Sequence, residues 1–149
     1  MGILINAFRT NLAAKRAELG KDDKGFTLIE LLVVVLIIGI LTAIAVPVFI
    51  GQQEQAKDAA AKSDIGVLKV ALVSYATANG GTYTTTVTDL ADYGYVASSG
   101  VTDHTITVGA NGAFCISATS ASTKVFALTN TLSAAQGSCG TGGVFTAAS

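Results

Sequence analysis

The 149-residue chain contains one histidine, His104, one proline, Pro47, and two cysteines, Cys115 and Cys139. Charged residues make up 13% of it, and none falls between Leu31 and Gln53. Past Lys69 the only basic residue is Lys124, and past Asp64 the only carboxylates are Asp89, Asp92 and Asp103. An enzyme needs titratable groups converging in a cleft, and this supply is too thin, so no catalytic activity is expected. His104, in a polar stretch beside Asp103, is expected to be an ordinary exposed residue. It has no ligand-type spacing to either cysteine, so no metal centre is expected. Calcium held by the three aspartates would need alternating oxygen donors. That pattern is absent, which leaves them as solvated loop residues, and no cofactor is implied. Nor is there a basic patch with interleaved aromatics of the kind that binds nucleic acid.

What is present is concentrated. Half of the residues are hydrophobic, and they crowd into residues 26–50. About 20 residues at a rise of 1.5 Å cross a hydrocarbon core of roughly 30 Å, and Leu31 to Ile50 supplies that length. The first 25 residues carry Arg9, Lys15, Arg16, Lys21 and Lys24 against Glu18, Asp22 and Asp23. Basic residues before a span hold that flank in the cytoplasm, so the chain after residue 50 is expected outside. There an even number of cysteines reads as one disulfide, with two reduced buried thiols as the alternative. Closing that loop stabilises a fold by roughly 3 to 4 kcal/mol on the chain-entropy argument.

Residues 1–50 do not read as an ordinary secretory signal. Such a signal has a short basic stretch, an apolar core of about 7 to 15 residues and a small-residue cleavage site after that core. Here the basic stretch and the core are both too long, and Ala43 and Ala45 imitate a cleavage site only superficially. The distinctive glycine, Gly25, precedes the core. Inside the apolar run stands one acid, Glu30, and a carboxylate in a membrane helix costs a few kcal/mol unless it finds a partner. Cleavage after Gly25 would create an α-ammonium at Phe26, one helical turn from Glu30. The sign is right.

Gly25-Phe26-Thr27-Leu28-Ile29-Glu30 resembles the processing motif of type IV pilins and pseudopilins. Leu31-Leu32-Val33-Val34-Val35-Leu36-Ile37-Ile38-Gly39-Ile40-Leu41, with Pro47 beyond, resembles their N-terminal helix. The likeness covers about residues 21–50; the remainder matches in layout. It implies that a membrane-embedded aspartyl peptidase, the prepilin peptidase, cuts between Gly25 and Phe26 and N-methylates Phe26. It also implies that Glu30 pairs with the amine of a neighbouring subunit during assembly. The segment from Gly39 to Pro47 would loosen in the filament; a mere kink at Pro47 is the plainer reading.

Nothing but Gly39, Pro47, Gly51 and Gly66 interrupts one helix from Phe26 to about Asn79, about 80 Å long. Past Gln52 it turns two-faced. Ala61, Ile65, Leu68, Leu72 and Tyr75 recur at three- and four-residue steps, with Lys57, Asp58, Lys62, Asp64 and Lys69 on the polar side. Asn79-Gly80-Gly81 supplies a left-handed cap. Thr82 to Asp103 reads as a long loop with Tyr83, Tyr93, Tyr95 and Leu90 as packing anchors, a ligand-facing patch of the tyrosines being the less favoured reading. Thr105–Val108, an Asn111-Gly112 hairpin turn, Ala113–Ser117 and Lys124–Thr129 make a three-stranded antiparallel meander that covers the helix stripe. Residues 140–149 are expected to be loose or a short edge strand.

The expected fold is α+β, a long N-terminal helix on a small antiparallel sheet. The expected division is a cytoplasmic leader over 1–25, a membrane and filament-core helix over 26–50, and an extracytoplasmic head over 51–149. The family shares this plan, and its disulfide frames a C-terminal surface region, which Cys115 and Cys139 would match. The function implied is that of a pilus subunit held in the cytoplasmic membrane and then polymerised on the cell surface. Its partners would be other pilin subunits, the peptidase and the assembly machinery. A pseudopilin of a secretion or DNA-uptake machine is the near alternative, and a membrane-anchored enzyme or binding module the distant one.

Overall fold

The computed structural model describes residues 25–148, so the leader and its basic residues lie outside the described residues, apart from Gly25. The chain divides into two units that meet between Val46 and Pro47, and each is taken by itself. One helix, α1, runs from Leu28 to Ala78, 51 residues. Its first part is apolar all round, from Leu31 to Ile50, and every residue there is exposed. A helix with no polar face finds no favourable water-facing side; it needs lipid or other helices around it. It is long and apolar enough to cross a membrane.

From Pro47 on, α1 becomes one wall of a head. Ala61, Ile65, Leu68 and Leu72, predicted as the apolar stripe, are buried against Leu90, Ile106, Phe114, Ile116, Phe126 and Leu128. The helix ends as the Asn79-Gly80-Gly81 signal predicts. Gly81 N–H reaches back to the Ala76 carbonyl at 2.7 Å, and the Asn79 side-chain amide donates to the Tyr75 carbonyl at 2.8 Å.

The other wall is an antiparallel sheet of five strands in chain order. They are β1 (Thr102–Val108), β2 (Phe114–Thr119), β3 (Val125–Thr129), β4 (Ala135–Cys139) and β5 (Phe145–Ala147). The predicted three-stranded meander is therefore extended. The chain after β3 adds β4 and β5, although Ala135-Gln136-Gly137-Ser138 carries no apolar alternation to announce a strand. At the β1–β2 turn, Asn111 and Gly112 have φ of 56° and 75°, and Ala113 N–H closes onto the Ala110 carbonyl at 3.2 Å. Positive φ at both central positions is the mirror-image turn that Asn-Gly favours.

Thr82–Asp103 is less open than expected. It holds a 3-10 segment, Val87–Tyr93, and its anchors pack as predicted. Leu90 is buried, Tyr93 meets Tyr75 edge-on at 5.3 Å, and Tyr83 lies against Phe114 at 5.0 Å. Cys115 and Cys139 are joined, Cα to Cα 5.6 Å, tying β2 to the end of β4.

Candidate functional site

The processing and assembly residues predicted from the sequence, Gly25, Phe26 and Glu30, fall at the start of α1. Gly25, Phe26 and Thr27 lie outside the helix, and Phe26 is 85% exposed. Thr27 and Glu30 close the helix end together. Thr27 donates to Glu30 Oε2 from its backbone N–H at 3.3 Å and from its hydroxyl at 3.2 Å. The Glu30 N–H donates in turn to the Thr27 hydroxyl at 3.3 Å. This is the reciprocal capping box of a Thr three residues before a Glu, which satisfies orphan N–H groups of the first turn. A carboxylate there also complements the positive end of the helix dipole. Thr27-Leu28-Ile29-Glu30 holds that signal in plain view, and a reading centred on charge in the membrane passes over it.

Gly39 lies within the exposed apolar part, with open space where a side chain would be. Nearby, the Thr42 hydroxyl turns back to the Ile38 carbonyl at 2.7 Å, so a polar group in an apolar stretch is satisfied by its own helix. Pro47 lies within α1 without ending it.

In the head, two acids depart from the sequence expectation. Asp58 and Asp64, assigned to the polar side of α1, are buried on the side facing the sheet. Each is held by partners far along the chain. Asp58 accepts from the Ser120 hydroxyl at 3.1 Å, from the Ser122 hydroxyl, and from Lys124 Nζ at 2.9 Å. Burial alone would raise its proton affinity, but the hydrogen bonds from Ser122, Lys124 and Ser120 outweigh it and hold Asp58 below the usual carboxylate range. The same contact with Asp58 pushes Lys124 up.

Asp64 accepts from the Tyr95 hydroxyl at 2.9 Å and from the Ser98 backbone N–H at 2.7 Å, and its Oδ2 lies 2.6 Å from His104 Nε2. Burial again pulls its proton affinity upward, and hydrogen bonds from Ser98, His104 and Tyr95 pull it down further, below the usual range. Burial and the neighbouring Asp64 carboxylate push Tyr95 upward. His104 is thus not the exposed loop residue expected. It sits in β1, with a side chain largely covered and edge-on to Tyr95 at 5.8 Å. An irregularity in the β1–β2 register between Thr102 and Thr105, with Asp103 at φ 53°, precedes it. Such a bulge re-aims the neighbouring side chain. Period-two alternation carried back from Ile106 also puts His104 inward, and that was the available signal.

Of the other acids, Asp89 accepts from the Thr84 hydroxyl at 2.7 Å and Asp103 from the Thr102 hydroxyl at 3.1 Å. Among the described residues no group of three or more His, Cys, Asp and Glu side chains is arranged to hold a metal ion. Asp58 and Asp64, with their partners, fasten α1 to the loop and strands of the head.

An exposed apolar helix long enough to cross a membrane, with a capped acid at its start, and a helix-on-sheet head make up a pilin-like α+β build. Residues 20–46 match the family described as "Prokaryotic N-terminal methylation motif". The chain is 47% identical over 55 residues to the type II secretion system core protein G of Pseudomonas aeruginosa, covering 37% of this chain and 39% of that protein. It is 51% identical over 53 residues to the type IV major pilin protein PilA of Myxococcus xanthus, covering 36% and 24%. It is 64% identical over 36 residues to the type IV narrow pilus major component PilA5 of Thermus thermophilus, covering 24% and 31%. The matched stretch thus spans well under half of each relative. The motif, these relatives and the fold together make the chain similar to type IV pilins and type II secretion pseudopilins.

Proposed function

We propose that this chain is the precursor of a type IV pilus subunit. The prepilin peptidase cuts it between Gly25 and Phe26 and N-methylates Phe26. The mature protein waits in the cytoplasmic membrane with residues 26–50 in lipid and the head outside, then passes into a surface filament. The observation that carries this reading is the first part of α1, exposed and uncharged on every side, with Glu30 as its one acid. Side chains of this kind gain about 1.5 to 3 kcal/mol each on leaving water. A bundle of such helices from many subunits removes that surface from water as lipid did.

Glu30 sets the register. Its capping partners are neutral, so its charge still needs a cation, and the Phe26 ammonium of a neighbouring subunit supplies one. Electron microscopy of cells expressing only this subunit tests the reading: long surface filaments are expected, and none are expected from a Gly25→Val chain, whose processing is blocked. Filaments from Gly25→Val would count against it, as would a soluble head that alone retains an enzymatic or binding activity.

A pseudopilin of a secretion machine is the second reading, favoured by the likeness to the secretion core protein G. It predicts short assemblies that stay within the envelope. The disulfide between Cys115 and Cys139, framing a C-terminal region, favours the pilus.

A further inference from the structure

The loop from Gly94 to Gly100 is fastened through one carboxylate. Its end residues are glycines at φ 86° and 81°, in the left-handed region that glycine adopts without strain. Between them, the Tyr95 hydroxyl and the Ser98 N–H both donate to Asp64, at 2.9 and 2.7 Å. Val96, between those two anchors, is 82% exposed. β1 reaches the same carboxylate through His104 Nε2 at 2.6 Å. One side chain of α1, itself 2% exposed, therefore holds both a loop and a strand.

Histidine is the side chain whose charge changes between pH 5 and 8, and this chain has one. The groups facing Asp64 are Tyr95 and Ser98 from the loop and His104 from β1. The other charges on these elements are engaged or exposed elsewhere. On α1, Asp58 is committed to Ser120, Ser122 and Lys124, and Lys57 and Lys62 are exposed. On β1, Asp103 is exposed and bonded to Thr102. Asp92, before the loop, is exposed.

We propose that Asp64 and His104 form a pH-sensitive latch on the Gly94–Gly100 strap, closed when His104 is protonated and loosened when it is neutral. The imidazolium donates from Nε2 and neutralises the carboxylate in a site nearly free of water, where charge attraction is stronger than in bulk. When His104 is neutral, Asp64 becomes a lone buried anion held by neutral donors. In the tautomer that lacks a hydrogen on Nε2, two acceptors also face each other. The strap is the part that gives way, because it has a left-handed glycine at each end and, apart from short-range backbone bonds at its ends, its hydrogen bonds to α1 run through that one carboxylate. Acidification from pH 8 to 5.5 closes it on α1 and fixes the position of Val96.

Amide hydrogen exchange at Ser98 reads the latch, measured by NMR on the full-length chain in detergent and divided by the intrinsic rate at each pH. The expected protection is about tenfold greater at pH 5.5 than at pH 8. The His104→Gln chain is expected to show equal protection at both. Ile116, in the core strand β2, serves as the reference and is expected not to change. Equal Ser98 protection in the natural chain would overturn the proposal. So would a pH difference that survives in His104→Gln, or one shared by Ile116.

Discussion

Thr27 and Glu30 cap each other at the start of α1, through contacts of 3.2 to 3.3 Å. The acid in the apolar segment thus carries two duties that a substitution can separate. Its Oε2 accepts from the Thr27 N–H and hydroxyl, which a neutral amide oxygen could also do, while its negative charge is not met inside that box.

Glu30→Gln keeps the capping geometry and loses the charge, whereas Glu30→Ala loses both. If charge pairing drives register, the two variants fall together in filament yield, by roughly tenfold, the equivalent of about 1.4 kcal/mol. Membrane insertion stays intact in both. Quantifying sheared filaments against membrane-bound subunit checks this. Normal yield from Glu30→Gln would show that the cap, not the charge, is what assembly uses.

Asp64→Ala leaves the Tyr95 hydroxyl, the Ser98 N–H and the His104 ring without their shared carboxylate. Each buried polar group left without a partner costs about 1 to 3 kcal/mol. The head is therefore expected to lose roughly 1 to 3 kcal/mol, since the Tyr95 hydroxyl stays buried while the exposed Ser98 and the partly covered His104 can turn to water. Thermal unfolding followed by near-UV circular dichroism of the tyrosines measures the loss, and an unchanged midpoint would exclude the network as a structural fastener.

Acid acts on the same groups. Asp58 and Asp64 both bind protons more weakly in the folded head than an unperturbed carboxylate does. A depressed carboxylate contributes stability that is fully present above the unfolded value, near 3.9 for Asp, and lost as pH falls through the lower folded value. The contribution of these two carboxylates to head stability is thus expected to be steady above about pH 5 and to decline below about pH 4. Asp64→Asn should flatten that decline.

Reduction of the Cys115–Cys139 bond frees β4 and the segment that follows it from β2. A loop of 24 residues' separation is worth roughly 3 to 4 kcal/mol on the chain-entropy argument. Unfolding in urea with and without a thiol reductant should show a difference of that size in unfolding free energy, read from the midpoint shift multiplied by the m-value. Because β4 pairs with β3 at only two positions, Phe126 with Gln136 and Ala127 with Ala135, local fraying of β4 and β5 is expected first.

What the sequence displayed and what it hid divide along one physical line. Ala61, Ile65, Leu68 and Leu72 were legible because helical period is a local property, and all are buried. Asn111-Gly112 was legible because its turn needs positive φ at both positions, and it has them. The burial of Asp58 and Asp64 was not legible. Their partners lie 31 to 66 residues away, and charge alone placed them on the solvent side. β4 was missed because Gly137 and Ser138 bring no apolar alternation, and pairing with β3 and the Cys139 bond decide its conformation instead. Of the site, Glu30 stood out by its charge, while its partnership with Thr27 lay in a spacing rule masked by that charge.

Cleavage after Gly25, which would leave an ammonium for Glu30, can be read by mass spectrometry of the N-terminal peptide from material sheared off cells. A peptide beginning at N-methylated Phe26 is expected. A sheared protein still beginning at Met1, or one cut beyond Ile50, would contradict it.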